Sequence, residues 1–164
     1  MRKFFTKIAF VLLMMSCFGS AVAQQVVYRL SDGSDQQLGQ IVFNYTSAGG
    51  YKATMNGEHF TVEITGKNVT ATLGKLVITM LIDGPYWHSH VGMWRNTPVT
   101  TSFGDKGIAR MFYSGMTTRG RLYHEELWLN GQLFNRSETI IDYNNQIVWS
   151  VTNDQEGILQ LTRM

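Results

Sequence analysis

Residues 51–74, YKATMNGEHFTVEITGKNVTATLG, decide the fold class. Phe60, Val62 and Ile64 alternate with Thr61 and Glu63, and Val69, Ala71 and Leu73 alternate around Thr70 and Thr72. Successive side chains of a strand leave opposite faces, so a period of two describes ribbons with one apolar and one polar face. Asn56-Gly57 stands just ahead of them. That pair favours a two-residue hairpin turn, whose central residues need positive φ.

The pattern continues outward in both directions. Upstream, Val26 to Leu30 runs into the polar turn Ser31 to Asp35, and Ile41, Phe43 and Tyr45 share a face before Gly49-Gly50. Downstream, Leu76 to Ile82 is an unbroken apolar run bounded by turn residues, which reads as a strand buried on both faces. It turns at Asp83-Gly84-Pro85 and returns as a strand carrying Trp87, His88, His90 and Trp94. Asn96 to Gly107 has no pattern and reads as a long loop. Ile108 to Tyr113, Leu122 to Leu129, Thr139 to Tyr143, Ile147 to Val151 and Ile158 to Leu161 complete the strands. About eleven strands with turn signals at short spacing, and no helical period, predict an all-β domain.

Short links favour antiparallel neighbours, hence a meander, and a meander of this size closes as an up-and-down β-barrel, with a β-sandwich as the alternative. In size and strand order the chain resembles the lipocalin and fatty-acid-binding architecture. The Gly-x-Trp motif near the start of lipocalins is absent, since the first tryptophan is Trp87, and no ligand-contacting residue is carried over. An outer-membrane barrel needs strands of about ten residues with an outward apolar band. Phe60 to Ile64 is shorter, and the chain ends in Thr162-Arg163-Met164 without an aromatic residue.

The first 23 residues have the composition of an export signal. Arg2, Lys3 and Lys7 form a basic start, Ile8 to Met15 an apolar core too short to span a bilayer, and Ala21-Val22-Ala23 a small-x-small cleavage site. The expected organisation is a signal peptide over 1–23 and a single all-β domain over 24–164. Its destination is the periplasm or the exterior of a Gram-negative cell. A lipoprotein anchored through Cys17 is the alternative. The whole chain has 14 basic and 12 acidic residues. Removing the signal leaves 11 basic side chains, a net of −1, and no basic cluster. Nucleic acid is thereby a poor partner. The only cysteine, Cys17, leaves with the signal, so the mature chain is cysteine-free and must hold together by core packing. Nothing in it predicts a transmembrane helix.

The chemistry concentrates after Pro85. His88 and His90 lie two apart on a predicted strand and leave one face, as a metal site on a barrel would require. A third ligand would come from His124 or Glu126, which share a face, or from His59. The pair invites comparison with the cupin family, whose following glutamate is missing here, where Val91-Gly92-Met93-Trp94 stand. Tyr86, His88, His90, Gly92 and Trp94 on one face could instead line a cavity, with Gly92 making room. Arg110, flanked by Ile108 and Phe112, would supply a charge or run outward along its apolar neighbours. The ligand-binding set is Tyr86, His88, His90, Trp94, Arg110 and His124. The competing reading puts Tyr86 and Trp94 in the core. Glu125 and Glu126 must face opposite sides of their strand, so they cannot flank one sugar bond as a catalytic pair, and they read as a solvated strand edge. No catalytic motif, bound metal or cofactor is implied.

These features favour an exported β-barrel that binds a small, partly apolar ligand in its interior without catalysis. The alternatives are a metal-dependent or acid–base enzyme using the His-x-His strand, and an interaction module that pairs through a face or a strand edge. The protein exported from a bacterial host is expected to begin at Gln24 by N-terminal sequencing. Changing Ala23 to a bulky residue then leaves the longer, uncleaved form.

Overall fold

A computed structural model of the chain describes residues 24–46, 50–55, 57–81, 91–144, 146–155 and 157–164. Twelve antiparallel strands follow one another as a meander. They are β1 (Gln25–Asp32), β2 (Gln37–Tyr45), β3 (Tyr51–Met55), β4 (Glu58–Thr65), β5 (Asn68–Leu73) and β6 (Leu76–Leu81). The second half comprises β7 (Trp94–Thr101), β8 (Lys106–Thr117), β9 (Gly120–Leu129), β10 (Gln132–Ile141), β11 (Ile147–Asp154) and β12 (Gly157–Arg163). Each strand pairs with the next, and β1 pairs with β12 from Tyr28↔Arg163 to Asp32↔Leu159. The sheet is a closed barrel, which decides against the sandwich.

Turn chemistry produces this order. Six of the eleven connections are two residues long. In the β9–β10 hairpin, Asn130 and Gly131 both take positive φ (50° and 79°), the conformation in which the turn's twist matches that of its strands. At the β1–β2 link, the Asp32 carboxylate accepts bonds from the Ser34 amide (2.9 Å), the Ser34 hydroxyl (2.8 Å) and the Gln36 amide (2.9 Å). Those bonds hold the carboxyl below its usual range. Asp32 to Asp35 is therefore a self-satisfied turn.

The inward residues form the core. Val26, Tyr28 and Leu30 of β1, Ile41 and Phe43 of β2, Tyr51, Ala53 and Met55 of β3, and Phe60 and Val62 of β4 are all buried. Eight strands already make an interior that side chains just fill, and diameter grows with strand number. A twelve-strand barrel therefore needs large inward groups. Phe43 stacks on Tyr51 with centroids 5.0 Å apart and lies 4.8 Å from the Tyr28 ring. Tyr28 also donates its hydroxyl to the Ile147 carbonyl (3.0 Å), tying β1 to β11 across β12. Burial pushes this phenol up to about 12. Outward residues of the same strands, such as Arg29, Gln40, Lys52, Glu63 and Thr70, are polar. That polarity is the reverse of a lipid-facing barrel. Among the described residues no helix is long and apolar enough to cross a membrane.

Three expectations are corrected. Leu76–Leu81 alternates between buried (Leu76, Ile78, Met80) and partly or fully exposed residues, because a closed sheet has a single interior; its apolar composition did not signify burial on both faces. Ile82 lies outside the described residues. The segment read as a loop over Asn96 to Gly107 is mostly strand, in β7 and β8, joined by Ser102 to Asp105. The absence of an alternating pattern misled that reading. The β6–β7 ladder spans only Val99–Thr101, so Pro98 sits beyond its end and removes no bond from it. Finally, Val91 and Gly92 form a turn, with Gly92 at φ 83° donating its amide to the Tyr113 carbonyl (2.9 Å). Gly92 is thus not a gap in a strand.

Bulges interrupt the register between Leu30 and Ser31, Tyr113 and Gly115, Leu133 and Asn135, and Ile140 and Ile141. An extra residue bends its strand and raises local twist. Three of the four lie within β8–β11, which include the three longest strands, β8, β9 and β10, so curvature concentrates in that wall. There Gly107 of β8 packs so closely on β9 that a Cβ would collide with the Trp128 carbonyl. Gly107→Ala is expected to destabilise the protein by about 2–3 kcal/mol, read as a lower urea midpoint, because backbone must shift to admit one methyl. Ala at Thr70, on the outer face of β5, should change the midpoint little.

Candidate functional site

Register places the candidate residues. Across the β7–β12 wall, one outward row runs Trp94, Phe112, His124, Glu138 and Val151. The row beside it runs Asn96, Arg110, Glu126, Arg136, Asn153 and Ile158. Residues two apart on one strand thus become neighbours on one face. Trp94, Arg110 and His124, named from sequence, meet here. They stand on the outside of the barrel, with Trp94 40% exposed, and not in the core or around an interior ligand. Parity is the reason: Met111 and Glu125 point inward, so Arg110, Phe112, His124 and Glu126 must point outward. Tyr86, His88 and His90 lie outside the described residues.

Glu126 is the hub. Its Oε2 accepts from Arg110 Nη1 (3.2 Å) and Trp128 Nε1 (2.9 Å), and its Oε1 accepts from Arg136 Nε (3.2 Å). Only 13% of its side chain is exposed. Arg110 also donates Nε to the Asn96 side chain (3.2 Å), and its guanidinium carbon lies 4.5 Å from the centroid of the Trp94 ring, a cation–π contact. Trp94 contacts Phe112 (5.3 Å between centroids), and Phe112 contacts His124 (6.0 Å). His124 Nδ1 lies 3.3 Å from Glu138 Oε1. Arg110 points outward, and its guanidinium is anchored at Asn96, Glu126 and Trp94. Beside this network lies an open groove of about 480 Å³, lined by Trp94, His124, Glu126, Arg136, Glu138, Val151, Asn153 and Ile158, with Glu125 and Ser137 beneath.

His59, the other sequence candidate, does not join it, and neither do the carboxylates Glu63 and Asp142. His59 is on β4, where Thr54 Oγ1 lies 3.1 Å from its Nδ1. Glu63 is also on β4, and Asp142 pairs with Arg163 near the β1–β12 seam. Among the described residues no group of three or more His, Cys, Asp or Glu side chains is placed to hold a metal.

Glu125 was misread as a solvated edge. It is 2% exposed and faces the interior, in the row Met111, Glu125, Ser137, Thr152 and Leu159. The reading that it and Glu126 face opposite sides holds. Thr139 donates its hydroxyl to Glu125 Oε2 (3.0 Å), and Thr139 and Ser150 share a further hydrogen bond (3.0 Å). Ser137 and Thr152 pair alongside at 3.0 Å. Glu125 Oε1 has no hydrogen-bond partner among the described residues. Burial pushes this carboxyl up to about 7, and the Thr139 bond only partly opposes it. The hydroxyl residues of β10 and β11, Ser137, Thr139, Ser150 and Thr152, were the available signal: small polar side chains at alternate positions mark a wetter stretch of inward face.

Comparison with protein-family models, with curated proteins and with solved structures returns no match to this chain.

The buried carboxyl makes stability depend on pH. Between 4.5 and about 7 the folded state keeps a proton that the unfolded chain has released. Its contribution, about 3 kcal/mol, is complete below the unfolded value and is lost as pH rises through the folded one. Thermal unfolding measured from about pH 5 to pH 8 should therefore show a falling midpoint, and Glu125→Gln, uncharged and still able to accept from Thr139, should flatten that fall. An unchanged slope in the variant would assign the effect elsewhere.

Proposed function

We propose that this chain is an exported, non-catalytic binding protein for a small, partly apolar ligand. Residues 1–23 direct it out of the cytoplasm, and the barrel serves as a rigid support. The ligand sits in the outer groove of the β7–β12 wall. The observation that carries this reading is the convergence of Trp94, Arg110, Glu126, Arg136 and His124 in two registered rows around that groove. Closure of the barrel supports it, because a groove on paired strands is pre-formed and loses little entropy on binding.

The apolar part of a ligand would contact Trp94, Val151 and Ile158, and its polar part Arg136, His124 and Glu138. Arg110 and Glu126 act as supports, since one fixes the Trp94 ring and the other fixes Arg110 and Arg136. Acid–base work is less well supported. Glu126 already accepts three bonds, and Glu125, the carboxyl poised near neutrality, is on the inner face. Interaction through a strand edge is also disfavoured, because every described strand has a neighbour on both sides.

Intrinsic tryptophan fluorescence tests the assignment. Fragments that enter the groove should perturb emission in the native protein and do so far less in Trp94→Phe, which keeps Trp87, Trp128 and Trp149. Arg136→Ala should weaken such binding by about tenfold, or 1.4 kcal/mol, with the unfolding midpoint nearly unchanged because the side chain is 65% exposed. If no fragment alters Trp94 emission, the groove is not the ligand site.

A further inference from the structure

The chemistry of this groove also narrows its ligand class, on the premise that the groove is the binding site. Its outward formal charges balance once Arg110, which pairs with Glu126 just outside the lining, is counted with Arg136 against Glu126 and Glu138, while Glu125 is buried beneath and faces the interior. Glu126, the least exposed of the four, is saturated by its three donors. An anionic or cationic ligand would therefore meet no unopposed charge. What remains open is directional hydrogen-bonding capacity. Among the described residues, the two terminal amines of Arg136, the Nε2 of His124, the second oxygen of Glu138 and the whole carboxamide of Asn153 have no partner.

That set mixes donors and acceptors, all on planar groups, and it lies beside the apolar surfaces of Trp94, Val151 and Ile158. We propose that the groove binds a neutral oligosaccharide. Vicinal hydroxyls both donate and accept, so they can engage a guanidinium edge, a carboxylate oxygen and a carboxamide in turn. The C–H face of a sugar ring is apolar and can lie against an indole or a valine–isoleucine pair. A fatty acid or another amphipathic anion would fill the apolar part and leave the acceptors of Glu138 and Asn153 unmatched, at a cost in desolvation. The groove is open to solvent, a shape that admits a chain of rings.

The mature protein, 24–164, is tested on an array of immobilised neutral glycans spanning α- and β-linked hexoses and N-acetylhexosamines. Each hit is titrated in solution by tryptophan fluorescence. The expected result is binding of at least one glycan class, with an affinity that does not fall as ionic strength is raised. Glu138→Gln and Asn153→Ala should each weaken it by about tenfold, while Thr70→Ala on the far wall has no effect. Both substituted groove residues are solvent-facing, and an unaltered unfolding midpoint confirms that the fold survives. Absence of any glycan binding overturns the proposal, as does binding that weakens steeply with salt, the mark of charge recognition. Binding indifferent to both groove substitutions overturns it too. A groove that answers amphipathic fragments but no glycan keeps the binding reading and loses the sugar; one that answers neither loses both.

Discussion

The pairing of β1 with β12 is the contact on which the rest of this molecule depends. It joins the two ends of the meander, from Tyr28↔Arg163 to Asp32↔Leu159. Without it the sheet would have two free edges, each a row of unpaired amides and carbonyls open to other chains. With it, every inward side chain faces other inward side chains. The long-range bonds near this seam reinforce it: Tyr28 to the Ile147 carbonyl, Arg163 to Asp142, and the Gln146 side chain to that of Gln24. All of these link residues distant in sequence, so closure costs chain entropy that local turns cannot repay. The packed aromatic group around Phe43 supplies apolar burial to offset it.

Closure also divides the wall into two chemistries one residue apart. On β9, Tyr123, Glu125 and Leu127 enter the barrel while His124, Glu126 and Trp128 leave it. Glu125 and Glu126 are adjacent carboxyls with opposite fates. One is sequestered among hydroxyls and pushed toward neutrality by burial. The other is held among two guanidinium groups and an indole N–H. No difference in residue type distinguishes them. The distinction comes from parity, and parity acquires meaning only when the sheet has an inside.

The groove depends on the same geometry. Bulges in β8–β11 increase twist in that wall, and residues two apart on each strand set two outward rows side by side. Arg110 illustrates how such a site is kept in order. A guanidinium tied at Asn96 and Glu126 and laid over Trp94 has few remaining conformations, so the face it supports is rigid before any ligand arrives. Charge balance and unused planar hydrogen-bonding groups then favour directional over ionic recognition.

Much of this was legible in the residues alone. Alternation in Phe60 to Leu73, the Asn-Gly turns and the shortness of the links determined an antiparallel meander and favoured a barrel, while closure itself, against a sandwich, was decided by the pairing of β1 with β12. Adjacency on β9 determined that Glu125 and Glu126 would part, and spacing on β8 and β9 that Ile108, Arg110 and Phe112 would share a face, as would His124 and Glu126. Local pattern could go no further. It mistook β7 for a loop because Asn96 to Gly107 shows no alternation, and only the ladders with β6 and β8 place Trp94–Thr101 in the sheet. It mistook Leu76–Leu81 for a doubly buried strand because apolar composition does not state how many faces are covered. Above all, a period of two defines two faces without saying which is the interior. The tertiary structure decided that Trp94, Arg110 and His124 belong outside and Glu125 inside, since the sign of a face is set only when the last strand pairs with the first.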